Sequence, residues 1–198
     1  MTLSLAHRLL WVIGIAHGDV SFHNIMIKLR TMVGVLNDWD LAAIMEPGAT
    51  SPPKIGFRRT GVPLFMAVEL LRDEAIPRLY RHDLEAFAWV LLYASICVQG
   101  GKENLDVEPI RNWALLGPSQ LEREKLLFLL RSKNTVKGLH NETWLCPIFK
   151  IWYDIHIVLA SGGDILDPPN DAQLLGDVLS ALEIARDDWV DFTLAFQL

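Results

Sequence analysis

His17-Gly18-Asp19-Val20-Ser21-Phe22-His23-Asn24, read together with Asn37-Asp38-Trp39-Asp40-Leu41-Ala42, decides the fold of this chain. Between the two stretches lie two short apolar runs, Ile25-Met26-Ile27-Lys28 and Val33-Gly34-Val35-Leu36, joined by Leu29-Arg30-Thr31-Met32. The joining stretch has the length of a hairpin connection. Antiparallel pairing sets the residue before the first strand beside the residue after the second. Asn24 is therefore expected next to Asp38, with Asp19 one loop turn away. Three oxygen-bearing side chains then converge at one end of a hairpin. Carboxylate and amide oxygens of this kind hold hard cations such as Mg2+, usually together with substrate phosphates.

Upstream, Leu3 to about Ala16 reads as a helix, with Thr2 or Ser4 as cap and apolar residues (Leu9, Leu10, Val12, Ile13) on most sides. Downstream comes a polar, Pro-rich stretch, Glu46 to Lys54, whose composition blocks helix and strand alike and predicts a mobile loop. Arg58-Arg59-Thr60-Gly61-Val62 then leads to Met66-Ala67-Val68-Glu69. Phosphorylation at Thr60 or Ser51 is expected to order this segment by pairing with the two arginines.

Tyr80-Arg81-His82-Asp83-Leu84-Glu85 opens a helix whose continuation, through Tyr93, is apolar all round. That predicts a central core helix, closed at the Gly100-Gly101 pair. Asp83 and Glu85 stand at the positive end of its dipole. Asp83 reads either as an ordinary cap or as a cap that also accepts backbone N–H groups of the His17–Asn24 loop. Three more helices are expected. The first runs from Pro118 to about Leu130, with Ser119 and Glu122 as a capping box. The second runs from Thr143 to Ala160, interrupted at Pro147. The third runs from Asp171 to about Trp189, with Leu174, Leu175, Val178, Leu179, Leu182 and Ile184 on its apolar side.

The 198 residues, 51% hydrophobic and 21% charged, suit one packed domain rather than a disordered chain. A formal charge of −6 argues against a nucleic-acid partner, and no Lys/Arg cluster suits an anionic membrane. Leu9 to Ala16 is short for a signal sequence and Arg8 abuts the run instead of opening the chain. Phe87 to Val98 falls well short of the ~20 residues of a spanning helix. Cys97 and Cys146 form neither a disulfide framework nor a metal spacing, which fits an intracellular, cytoplasmic or nuclear setting.

HGDVSFHN, GVLNDWDLA, RTGVPLFMAVELL and YRHDLEAFAWVLLY, in this order, resemble the fungal-type protein kinases over roughly residues 5 to 100. The resemblance implies an α+β, mostly helical fold: a protein-kinase-like C-terminal lobe with a small β-hairpin beside the catalytic loop. Residues 17–24 would be the catalytic loop, 38–40 the metal-binding triplet, 38–69 the activation segment and 80–198 the helical remainder of one domain. It further implies ATP with Mg2+ and phosphoryl transfer to a Ser/Thr hydroxyl of a protein substrate. Asp19 would be the catalytic base and Asn24 and Asp38 the metal ligands. His17, Asp83 and Glu69 would support the site structurally, and Thr60 would be a phosphosite.

Three departures accompany the likeness. Ser21 stands at a nucleotide-facing position usually held by Lys. Val62 replaces a Thr and is expected not to hydrogen-bond the catalytic loop. Asp40 replaces the Gly of D-F-G, with less backbone freedom. Sixteen residues ahead of His17 make only a helix of about 24 Å, too little for a Gly-rich loop and a strand Lys. The chain is therefore expected to be a C-terminal lobe alone, impaired without an N-lobe or a partner over the interlobe face. Two other classes remain open at this point. One is a small-molecule phosphotransferase of the aminoglycoside- and choline-kinase type, and the other a non-catalytic interaction module.

Overall fold

The computed structural model describes residues 3–31, 33–53, 61–139, 141–162 and 171–182. Helix α1, Leu3–Val12, stops short of the predicted Ala16. The cause is Gly14, whose N–H turns back to the Trp11 carbonyl (3.0 Å) with φ +89°, a left-handed stop that glycine adopts without strain. The chain leaves it as strand β1, Ile15–Ala16. After the His17–Asn24 loop come β2, Ile25–Lys28, and β3, Val33–Leu36, the two runs of the predicted hairpin at their predicted limits. Strand β4, Ala43–Ile44, pairs back on β1 (Ile15↔Ile44, Ala16↔Ala43), and the Met45 N–H reaches the Gly14 carbonyl at 2.7 Å. Residues 17–42 thus leave and return at one point.

Helix α2, Val68–Arg72, is a short turn ahead of the long α3, Tyr80–Cys97. Helix α3 is the axis of the core. Trp89, 2% exposed, meets Trp113, Phe128 and Phe149 with ring centroids 5.7, 5.9 and 5.1 Å away. These rings come from α4, Ile110–Trp113, α5, Pro118–Thr135, and α6, Glu142–Ala160. Helix α7, Asp171–Ala181, closes this side with Leu174, Leu175, Val178 and Leu179 buried; Ile184 and Trp189 lie outside the described residues.

Three local expectations are corrected. Gly100 and Gly101 do not cap α3, which already ends at Cys97. With φ +57° and +74° they form the turn between β5, Val98–Gln99, and β6, Lys102–Glu103. Two successive positive φ angles are what a two-residue hairpin turn requires. Ser119 does not cap α5 either. Gly117 is the N-cap with Pro118 at the first helical position, and Glu122 pairs with Arg72 at 3.0 Å. Pro147 lies inside α6 without interrupting it, at the cost of one backbone bond.

The fold is mixed α and β, with helices dominant and three two-stranded antiparallel sheets among the described residues. No described helix is long and apolar enough to cross a membrane. Both cysteines are free thiols.

Candidate active site

The loop between β1 and β2 is braced from inside. His17 is fully buried, with Nε2 donating to the Asn37 carbonyl (2.9 Å) and Nδ1 accepting the Asp19 N–H (3.2 Å). That arrangement assigns the proton to Nε2, and burial lowers the imidazole pKa against the opposing pull of the Asn37 carbonyl. His17 is thus a neutral tie between the loop and the end of the hairpin, with the Trp39 ring edge-on at 4.5 Å. Gly18, at φ +87°, lies so close to the chain after the second acidic stretch that a Cβ would sit 2.8 Å from the Leu41 carbonyl oxygen. Only glycine fits there.

Asp19 is half-buried and engaged on both oxygens. The Asn24 amide donates to Oδ2 (3.2 Å) and to the Asp19 carbonyl (2.9 Å). The Val62 N–H donates to Oδ1 at 3.1 Å. Val62 was expected not to bond the catalytic loop. Its side chain does not, but its backbone does, and Gly61 makes the approach possible. With φ +105°, Gly61 holds a backbone conformation that side chains strain to adopt, and a Cβ would crowd the Gly18 oxygen (3.3 Å) beside Asp19 Oδ1 (3.4 Å).

The hairpin register corrects the first expected neighbour. Ile25 pairs with Leu36, and the Asn37 N–H reaches the Asn24 carbonyl at 2.7 Å, so Asn24 faces Asn37. Asp38 follows one residue on, exposed, with φ +59°. A non-glycine residue in the left-handed region stores strain that the surrounding structure must hold, a feature concentrated at functional sites. Among the described residues no group of three His, Cys, Asp or Glu is arranged to hold a metal ion. Asn24 and Asp38 are a different kind of donor set. The Asn24 amide nitrogen is spent on Asp19, which leaves its carbonyl oxygen, and Asp38 offers a carboxylate. Two hard oxygens suit Mg2+, which takes its remaining ligands from water and phosphate. Ser21 is buried, and its carbonyl accepts the Asn24 N–H at 3.2 Å. His23 is exposed and lies 3.3 Å from Glu103, the carboxylate that also accepts the Tyr93 hydroxyl.

Below this loop sits a layer of buried charge. Glu69 receives Arg81 through two bonds of 2.9 Å and His82 Nε2 at 3.0 Å. Burial alone would raise its pKa, but His82 and Arg81 outweigh it and hold the carboxyl at about 2. Asp83 is fully buried. Its oxygens go to His7 Nε2 of α1 (3.0 Å) and Arg78 Nε (2.8 Å), rather than to backbone N–H groups of the His17–Asn24 loop. Burial opposes its ionisation, and the Arg78 charge followed by the His7 bond holds its pKa well below the usual range. Nor does Asp83 cap α3. Leu79 is the N-cap, and its N–H goes to His82 Nδ1 at 3.1 Å. Thr60 and the Arg58-Arg59 pair lie outside the described residues.

Sequence reasoning missed His7, Val62 and Lys125. The first and third had a signal. Lys125 lies on the buried stripe of α5 with Leu121, Phe128, Leu129 and Ser132, at helical spacing where a charge is out of place. His7 carried the same kind of signal on α1.

A histidine-braced loop with Asp and Asn, a hairpin, a second acidic stretch and a segment returning onto the loop form a kinase-like arrangement. Residues 5–97 match the family model described as fungal protein kinase, from within α1 to the last residue of α3. This part of the chain is a fungal protein kinase family region. No curated protein matches the chain.

Proposed function

We propose that this chain carries the helical, C-terminal lobe of a protein kinase, and that it serves ATP- and Mg2+-dependent transfer of a phosphoryl group to a protein Ser/Thr hydroxyl. The observation that carries this reading is the setting of Asp19. One oxygen is held by Asn24 and the other by the Val62 N–H, at the foot of the hairpin that leads to Asp38. In this reading Asp19 orients the substrate hydroxyl and takes its proton, while Asn24 and Asp38 hold the metal. Mg2+ supplies charge neutralisation on the phosphates. His17 fixes the loop, and Glu69 and Asp83 fix the elements beneath it. Ser21, where related loops carry Lys, contributes its hydroxyl only if the loop shifts, because it is buried. Thr60 is retained as a candidate phosphosite.

The test is equilibrium binding of ATP, with and without Mg2+, to the chain fused to the N-terminal lobe of an intact family member. Binding should require Mg2+ and weaken at least tenfold in Asp38→Ala, with Asp19→Asn little changed. Phosphoryl transfer by the same fusion should then be lost in Asp19→Asn. Metal-independent binding, or transfer indifferent to Asp19, would overturn the assignment. Transfer to a small alcohol but to no protein would favour the small-molecule reading.

A further inference from the structure

Lys125 is a lysine with no exposed surface. Its Nζ donates to the Met66 carbonyl at 2.6 Å and lies 4.6 Å from the centre of the Trp89 ring. The same indole donates through Nε1 to Glu85 Oε1 at 3.0 Å, and that oxygen also accepts the Val68 N–H at 3.0 Å. His156 Nε2 approaches the other Glu85 oxygen at 3.2 Å. Helices α3 and α5 thus each send one ionisable side chain to the backbone of residues 66–68, and α6 backs the first of them through His156. From there a run of hydrogen bonds continues upward. The Met66 N–H reaches the Val62 carbonyl at 3.2 Å, and the Val62 N–H reaches Asp19 Oδ1 at 3.1 Å.

We infer that Lys125 is a positioning residue for Asp19, a proton-sensitive anchor whose hold on Met66 sets how firmly Val62 is seated on the Asp19 carboxylate. The chain of bonds stands on geometry alone; its consequence for phosphoryl transfer rests on the role proposed for Asp19 above. The ammonium has three donors, and it finds one carbonyl and one aromatic face. Burial pushes its pKa down to about 7, with Glu85 pulling the other way. Of the other charged groups on the packed elements, Arg123, Glu124 and Arg131 are exposed on α5, as is Lys133, and several more are paired away from Lys125. Glu69 is held by Arg81 and His82, Arg72 pairs with Glu122, Glu142 accepts the Gly138 N–H, and Lys150 and Asp154 pair at the surface.

The sign follows from linkage. Undocking the segment hydrates Lys125 and returns it toward its ordinary, higher pKa. The docked state therefore binds the proton less tightly, and raising the pH above about 7 favours docking. A neutral amine still donates to Met66 and no longer carries a buried charge.

Amide exchange of residues 61–68 in the full chain, corrected for intrinsic rates, tests this between pH 6 and 9. Protection at Val62 and Met66 should rise by up to about tenfold per pH unit above 7. In Lys125→Met the same amides should show a flat profile. Lys125→Arg keeps the charge at every pH and should give a flat profile with weaker protection. A flat wild-type profile overturns the proposal, whether or not the variants fold. An unchanged slope in Lys125→Met overturns it too, because another group would then be titrating. None of these readouts needs nucleotide or substrate, so the result is independent of the kinase assignment.

Discussion

The two halves of α3 hold the molecule together by opposite means. Its first turns bury Arg81, His82, Asp83 and Glu85, each with a named partner from another segment. Its later turns bury Trp89, Leu92, Tyr93, Ile96 and Cys97 among aromatic and aliphatic neighbours. An apolar interior tolerates small changes of shape because dispersion is non-directional and shared over many contacts. A buried ion pair fixes direction and distance but fails abruptly when one partner goes, since a desolvated charge remains. The polar half lies under the candidate active site, where position matters. The apolar half supplies bulk stability.

Glu69→Ala should have the largest effect. It takes the bidentate carboxylate from Arg81 and the acceptor from His82, and should cost about 3–5 kcal/mol in urea unfolding. A loss under about 1 kcal/mol would mean that the two halves are not built differently. Acid should separate them next. Glu69 has a folded pKa depressed to about 2, so its contribution is fully present above its ordinary value near 4.5 and is lost as pH falls from there toward 2. About 2–3 kcal/mol of stability should disappear over that window, and Glu69→Gln should flatten it. The smallest effect belongs to the apolar half. Ile96→Val deletes one buried methylene and should cost about 0.5–1.5 kcal/mol with no pH dependence over the same range.

The parts of the fold legible in the sequence were those with period and length. Ile25–Lys28 and Val33–Leu36 were readable because each is a full strand bounded by polar residues. The strands Ile15–Ala16 and Ala43–Ile44 are too short to carry a period, so the sequence alone runs the first helix across one and assigns no element to the other. Gly100-Gly101 failed for another reason: a glycine pair serves a helix end and a tight hairpin turn equally well. Around the loop, the spacing of His17, Asp19 and Asn24 is local and could be read directly. The Val62 contact could not, because a backbone N–H has no sequence identity. What the sequence offered there was Gly61, whose lack of a side chain lets the two segments meet. Asp83 shows the remaining limit. Its burial was foreseeable, but its partners His7 and Arg78 come from outside the helix and follow from tertiary packing.

The pairing of Ile15–Ala16 with Ala43–Ile44 closes residues 17–42 at their base, with further ties from Val62 to Asp19 and from Glu103 to His23. Closing a loop of that size costs entropy that grows only with the logarithm of its length. The strand pair therefore stays serviceable if the hairpin tip between Lys28 and Val33 lengthens or shortens. Asp19, Asn24 and Asp38 all ride inside the closed segment and would move together, keeping their mutual geometry while the rest of the chain diverges. The loop, hairpin and acidic stretch thus form one contiguous segment whose two ends meet at one strand pair.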